Sequence, residues 1–139
     1  MPADRLPVRA CPCSFCRAHG VLSTWDPRGQ VGFVMRDPAM VSRYRFGLEV
    51  TEFLICGRCG VYMAALSDES SGTFAVLNLN ALDCRDEVAE VPVRHGWARH
   101  AWERRWSRGD PCWTPVAGVV EQTASEGGPR PTRRLLHSR

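Results

Sequence analysis

Two clusters of cysteines constrain what this chain can fold into more than any other feature. The first is CPCSFC at 11–16, the second is CGRCG at 56–60, and 39 residues separate them. A gap of two residues between cysteines bends the backbone so that both thiolates reach one ion, at about 2.3 Å for zinc. The clusters therefore predict a zinc-thiolate centre. The predicted metal ligands are Cys11, Cys13, Cys16, Cys56 and Cys59.

The cysteine content favours metal chemistry over disulfide bonding. Seven cysteines in 139 residues fall below the roughly 8–10% that is typical of a disulfide scaffold. The first ten residues lack the apolar region of a secretory signal peptide, and no apolar run is long enough to span a bilayer. We therefore expect a cytoplasmic protein with no membrane partner, in which reduced thiols can hold metal.

The charge distribution argues against a nucleic-acid partner. The formal net charge is only +3. Arginines and acids are interspersed up to residue 117, and no segment concentrates the basic residues that a phosphate backbone requires.

The apolar pattern predicts a mainly β protein of twisted antiparallel sheets. Hydrophobic residues make up 44% of the chain, which suits a globular domain. Short runs rich in β-branched and aromatic residues are bounded by turn residues, and the last three are apolar on both faces, as in central strands. A polar hairpin loop is predicted at 67–72. The predicted strands are 31–36, 43–46, 50–55, 61–66 and 73–79.

The C-terminal part has a different character. A short helix is predicted at 97–108, where Trp102 and Trp106 lie four residues apart on one face. The residues that follow 117 are rich in Gly, Pro and charge, which predicts disorder. The predicted division is a lead segment at 1–10, one zinc-binding domain at 11–117 and a disordered tail at 118–139.

The number of protein ligands separates two types of zinc site. Four thiolates, two from each cluster, would give a closed structural site. Three thiolates from Cys11, Cys13 and Cys16 would instead leave a fourth position for a substrate. His19 is a candidate fourth ligand or proton shuttle, or an ordinary histidine bonded to the backbone.

Other candidates have weaker signals. A redox role for the C-x-x-C pairs is disfavoured, because neither pair is predicted to begin a helix after a strand. Cys84 and Cys112 stand alone and are predicted to be small buried hydrophobes. Arginines at 43, 45 and 58 could bind the carboxylates of a thiol such as glutathione. The amides of residues 78 and 80 could bind a turn or a ligand.

The paired motifs resemble a known family. CPCSFCRAHG, followed by FLICGRCGVYMA, is similar to the glutathione-dependent formaldehyde-activating enzymes and centromere protein V-like proteins. The resemblance covers about residues 9–82, and WTPV at 113–116 resembles the end of short members. These members usually carry an earlier C-x-C, whereas this chain has no cysteine before Cys11. An earlier start, a lost structural site or one shared metal would each account for the difference.

The resemblance implies a β-tent fold, in which antiparallel sheets meet at zinc. It implies that Cys11, Cys13 and Cys16 form a catalytic zinc triplet, and that Cys56 and Cys59 form half of a structural zinc site. The implied activity is that of a carbon–sulfur lyase that joins a small-molecule thiol, such as glutathione, to an aldehyde. The alternative is a non-catalytic zinc module whose structural Cys₄ site supports an interaction surface.

Overall fold

The computed structural model describes residues 2–88 and 113–122. Within these residues one short helix, α1, spans Ser14–Ala18, and single 3-10 turns lie at Ala3–Arg5, Pro38–Met40, Leu79–Ala81 and Arg85–Glu87. The strands are β1 Arg9–Ala10, β2 Leu22–Thr24, β3 Val31–Met35, β4 Val41–Tyr44, β5 Glu52–Cys56, β6 Tyr62–Glu69, β7 Gly72–Asn78 and β8 Thr114–Glu121.

The strands form a mainly antiparallel sheet, which confirms the predicted fold class. The order is β1-β2-β7-β6-β5-β4, and each neighbour in this series is antiparallel. β8 pairs antiparallel with the start of β7 through Thr114 and Pro115. It then runs parallel to β3, a pairing that the sequence did not predict.

The central strand β6 divides the interior into two apolar clusters. Its first six residues, 62–67, are all buried, as predicted for a strand packed on both faces. Successive side chains of a strand point to opposite faces, so Phe53 and Leu54 of β5 join different clusters. The cluster on the β3 face contains Phe33, Met35, Leu54, Met63, Ala64, Leu66 and Ala75. The cluster on the opposite face contains Phe15, Cys16, Val21, Phe53, Tyr62 and Ala65, and we call it the thiol-side core.

The segment predicted as a lead is part of the fold. β1 pairs with β2, and the side chains of Leu6 and Val8 are buried against Leu79 and Val88. Burying these two side chains removes apolar surface from water, which favours the ordered segment. The first cysteine therefore follows a strand that is anchored to the sheet.

The predicted hairpin loop also differs from the structure. The hairpin loop predicted at 67–72 is shorter, because β6 continues to Glu69 and β7 begins at Gly72. The polar strand ends bond to each other across the turn, where the Thr73 hydroxyl donates to the Asp68 carboxylate at 2.7 Å. The prediction from polar composition therefore overestimated the length of the loop, because polar residues 67–69 belong to β6.

The tail boundary predicted at 118 falls inside β8. Residues 118–121 pair in parallel with 32–35 of β3, although their side chains are exposed. Backbone hydrogen bonds stabilise this part of the strand. They do not depend on the type of side chain, so the pattern of apolar residues does not predict them. The rest of the predicted tail, from 123, and the predicted helix at 97–108 lie outside the described residues.

Candidate metal centre

The first cysteine cluster lies where β1 passes into α1. Cys11 follows the last residue of β1, Cys13 is the residue that caps the start of α1, and Cys16 lies within the helix. The Cys13 sulfur accepts a hydrogen bond from the Cys16 backbone N–H at 3.4 Å. Residues three apart lie on the same side of a helix, so this short turn brings the two sulfurs together. The prediction that neither C-x-x-C begins a helix is wrong for this pair.

The three thiols lie close enough to bind one metal ion. The sulfurs of Cys11, Cys13 and Cys16 are all within 4.8 Å of one another. A tetrahedral zinc ion with bonds of about 2.3 Å holds its sulfurs about 3.8 Å apart, which is compatible with that limit. Cys16 is buried, while Cys11 and Cys13 are partly exposed. The arrangement therefore fits three protein ligands and leaves the fourth position of a tetrahedral ion for another donor.

Crowding of the thiols decides where negative charge resides before a metal binds. Hydrogen bonds from the thiols of Cys11 and Cys16 lower the pKa of Cys13 far below that of an ordinary thiol. The pKa of Cys16 is raised by its hydrogen bonds to Cys11 and Cys13, and burial raises it further. The pKa of Cys11 is also raised, chiefly by its hydrogen bond to Cys13. One thiolate, on Cys13, therefore attracts a cation to the cluster.

The depressed pKa of Cys13 predicts an unusual pH profile in metal-free, reduced protein. We expect iodoacetamide to alkylate Cys13 at a rate that changes less than about twofold between about pH 5 and pH 8, because its thiolate fraction is already complete. An ordinary thiol gains about tenfold per pH unit over this range. Peptide mass spectrometry would follow each cysteine, with urea-unfolded protein as the control. A tenfold rise per unit at Cys13 in folded protein would contradict the assignment.

A set of aromatic rings surrounds the triplet, which the sequence analysis did not predict. Phe15, between two of the cysteines, contacts the ring of His19 at a centroid distance of 4.1 Å and that of Phe53 at 4.6 Å. The Tyr62 ring meets Phe15 edge-on at 5.1 Å. Burial raises the pKa of Tyr62, and the charge of the nearby sulfurs raises it further, so its phenol stays neutral. The alternation of aromatic residues at 44 and 46 is the signal that could have indicated this surface.

His19 is held by the backbone of α1. Its Nδ1 lies 2.8 Å from the carbonyl oxygen of Phe15, which can only accept, so Nδ1 carries the proton and donates it. The imidazole is exposed, and it is not among the side chains grouped with the triplet as metal ligands. The His19 ring is therefore held by its Nδ1 bond to the backbone and by stacking on Phe15.

The second cysteine cluster forms a separate turn after β5. Gly60 adopts a φ of +74°, and its N–H donates to the Cys56 carbonyl at 2.8 Å. Burial raises the pKa of Cys56, but hydrogen bonds from the backbone N–H groups of Cys59 and Arg58 outweigh it, and the net shift is downward. We call this turn, residues 56–60, the knuckle. Among the described residues, its cysteines do not join the triplet within ligand distance. A single site shared by both clusters is not the arrangement observed.

Several other candidates have structural partners. The Arg43 guanidinium lies 2.7 Å from Glu52, and Arg45 lies 3.4 Å from the same carboxylate. The Asn78 amide donates to the carbonyl of Tyr62 and accepts from the backbone N–H of Asn80, so it links β7 to β6 and holds the turn that follows β7. Asn80 likewise donates to the Gly20 carbonyl, which follows α1. Cys84 packs against the cluster around Leu6 and Leu79 but is only partly buried, whereas Cys112 lies outside the described residues.

Comparison with known proteins adds little to this geometry. No protein-family model and no curated protein matches the chain. The crystal structure of a Rhodobacter sphaeroides protein, a Northeast Structural Genomics target, is similar with 23% identity and a TM-score of 0.41. The match covers 63% of this chain and 80% of that one, and a similarity at this level carries no functional argument. The family resemblance of the motifs stays a prediction.

Of the helices in residues 2–88 and 113–122, none has the length and apolar character that crossing a bilayer requires.

Proposed function

We propose that this protein is a zinc-dependent carbon–sulfur lyase-like enzyme acting on thiol–aldehyde adducts. The observation that carries the proposal is the triplet, in which three sulfurs lie within 4.8 Å of one another and no fourth ligand is grouped with them among the described residues. Three-ligand sites with an open position are typical of catalytic zinc, whereas structural zinc is closed by four protein ligands.

The donor set supports zinc as the metal. Thiolates are soft ligands that favour zinc over magnesium or calcium, which prefer oxygen. The six cysteines in the described residues are free thiols, as metal binding requires. Free thiols persist in a reducing compartment, so we place the protein in the cytoplasm.

The reaction we propose is the reversible addition of a thiol to an aldehyde. The thiol sulfur forms a bond to the carbonyl carbon, the carbon–oxygen π bond breaks, and its electron pair moves to oxygen. The proton lost by the thiol ends on that oxygen, so no oxidant or reductant is needed. The substrates are a small-molecule thiol of the glutathione type and an aldehyde of the formaldehyde type.

Zinc, when bound, would supply a Lewis acid that raises the thiolate fraction of a bound thiol. The chain's own residues hold and enclose this position. Cys16 is buried in the thiol-side core, and the rings of Phe15 and Tyr62 exclude water from that side. We assign His19 Nε2, the ring nitrogen that does not bond to the Phe15 carbonyl, to moving the thiol proton.

The test is an exchange experiment with reduced, zinc-loaded protein. Formaldehyde and glutathione reach equilibrium with their S-hydroxymethyl adduct, and NMR exchange spectroscopy measures the interconversion rate. We expect the rate to rise in proportion to protein concentration. A rate equal to that in buffer alone, with zinc bound at the triplet, would remove the enzymatic proposal. It would favour the alternative of a non-catalytic zinc module.

A further inference from the structure

The aromatic rings beside the triplet form a platform that reaches the surface. We define the aromatic platform as the rings of Phe15, His19, Tyr44 and Phe46. Phe15 lies 5.7 Å from Phe46 with 19° between the ring planes, and Tyr44 lies 5.7 Å from Phe46 with 18° between theirs. His19 stacks on Phe15 with an angle of 25°. Four rings are therefore close to parallel.

The platform continues from the buried core to solvent. Phe15 is buried at 9% exposure, Phe46 is half-buried, and Tyr44 is 45% exposed. Phe46 packs against the same core as Cys11 and Cys13. A molecule bound through sulfur at the triplet would therefore have these rings as a neighbouring wall.

The exposure of aromatic rings on the platform indicates a binding role, because it is unfavourable for stability. Burying an aromatic side chain removes a large apolar area from water, so leaving Tyr44 and His19 exposed forfeits stabilisation. Parallel rings offer faces to another flat ring, which prefers offset stacking on such a surface.

The cation next to the platform in the chain is held by acceptors of the protein itself. Arg45 lies between Tyr44 and Phe46 in the chain, and its guanidinium donates to the Glu49 carbonyl at 3.0 Å and contacts the Glu52 carboxylate. This cation is already committed to partners within the protein. At residues 44–46 the platform therefore offers the faces of its rings to a ligand, and not the Arg45 guanidinium.

We propose that the aromatic platform selects thiol–aldehyde adducts that carry a planar aromatic group. This inference rests on the proposed function, because it names the substrate class of the same site. The aromatic group can come from the aldehyde or from the thiol, and the stacking chemistry is the same. The thiol sulfur bonds to the carbonyl carbon and its proton passes to oxygen, so the ring itself does not react.

The test compares flat and saturated rings of the same size. Benzaldehyde and cyclohexanecarbaldehyde are each paired with 2-mercaptoethanol, and benzyl mercaptan and cyclohexylmethanethiol are each paired with formaldehyde. NMR exchange gives the rate gain over buffer and the KM for each pair. We expect a KM about three- to tenfold lower for the flat member in at least one arm, and that arm identifies the source of the ring. Equal KM values within both arms would overturn the inference.

Variants at the exposed edge of the platform separate stacking from general apolarity. Tyr44→Ala is expected to raise the KM of the aromatic pair about three- to tenfold, whereas Tyr44→Phe keeps the ring and the wild-type KM. Leu48→Ala is the matched control, since Leu48 is an exposed apolar residue on the nearby β4–β5 connection and carries no ring. An unchanged KM in Tyr44→Ala would contradict the role of the platform.

A binding measurement keeps this inference distinct from the proposed function. Binding of benzyl mercaptan and of cyclohexylmethanethiol to zinc-loaded protein is measured by ligand-observed NMR. Tighter binding of the flat thiol that is lost in Tyr44→Ala, without turnover of any pair, would overturn the enzymatic function and keep the ligand class. Turnover of formaldehyde and glutathione without a preference for flat thiols or aldehydes would overturn the ligand class alone.

Discussion

Replacing Cys11 with serine is expected to weaken zinc binding at the triplet by more than about 100-fold and to abolish adduct formation. Loss of an outer partner of a metal ligand already costs about 10–100-fold in affinity, and here a ligand itself is lost. A serine hydroxyl does not ionise at neutral pH and is a poor ligand for zinc. Competition with a chromophoric chelator measures the affinity, and NMR exchange measures the activity.

The position of Cys11 makes this substitution a clean test. Cys11 is partly exposed and precedes α1, so Cys13 still caps the helix and Cys16 stays buried. Cys84→Ser is the matched control, because it makes the same chemical change in the cluster around Leu6, away from the triplet. Full zinc affinity in Cys11→Ser would show that the metal is held without Cys11, as in a site shared between Cys13, Cys16 and the knuckle.

The parts of the fold and site that the sequence predicted are those governed by local pattern. β5 and β6 follow from short runs of β-branched and apolar residues, and their burial on both faces agrees with the prediction. The closeness of Cys11, Cys13 and Cys16 likewise follows from spacing within six residues. These relations depend on the type and spacing of residues that are close in the chain, and both can be read directly from the sequence.

The parts that the sequence missed depend on contacts or on unusual residues. α1 was missed because its capping residue is Cys13, and thiols are not among the usual N-caps. The separation of the knuckle from the triplet was left open against one shared site, because it is a long-range relation that spacing does not encode. The aromatic platform likewise brings Phe15 of α1 into contact with Tyr44 and Phe46, which lie at the end of β4 and just after it. Tertiary packing decides each of these features.

Zinc is expected to stabilise the folded protein, but by less than its affinity alone would give. A ligand that binds only the native state at 1,000 times its Kd adds about 4.1 kcal/mol to the free energy of unfolding. All three triplet ligands lie within 11–16, so the unfolded chain keeps them near one another and retains part of the affinity. We therefore expect a gain of roughly 1–3 kcal/mol at that zinc concentration.

Urea unfolding at several buffered zinc concentrations would measure this coupling. One ion that binds only the native state gives a slope of about 1.4 kcal/mol per tenfold change in free zinc. We expect a positive slope below that limit in wild-type protein and in Cys84→Ser, and a much smaller slope in Cys16→Ser. A slope of zero in wild-type protein would mean that folding does not create the triplet site.

The same slope reports on the knuckle. Cys56 and Cys59 supply two thiolates, and an ion held there only in the folded protein would raise the slope above the limit for one site. Cys56→Ser would then return the slope to that of the triplet alone, while the rate of adduct formation stays at the wild-type level. If Cys56→Ser instead abolished the zinc dependence altogether, the two clusters would have to share one ion. The separation of the knuckle from the triplet predicts that they do not.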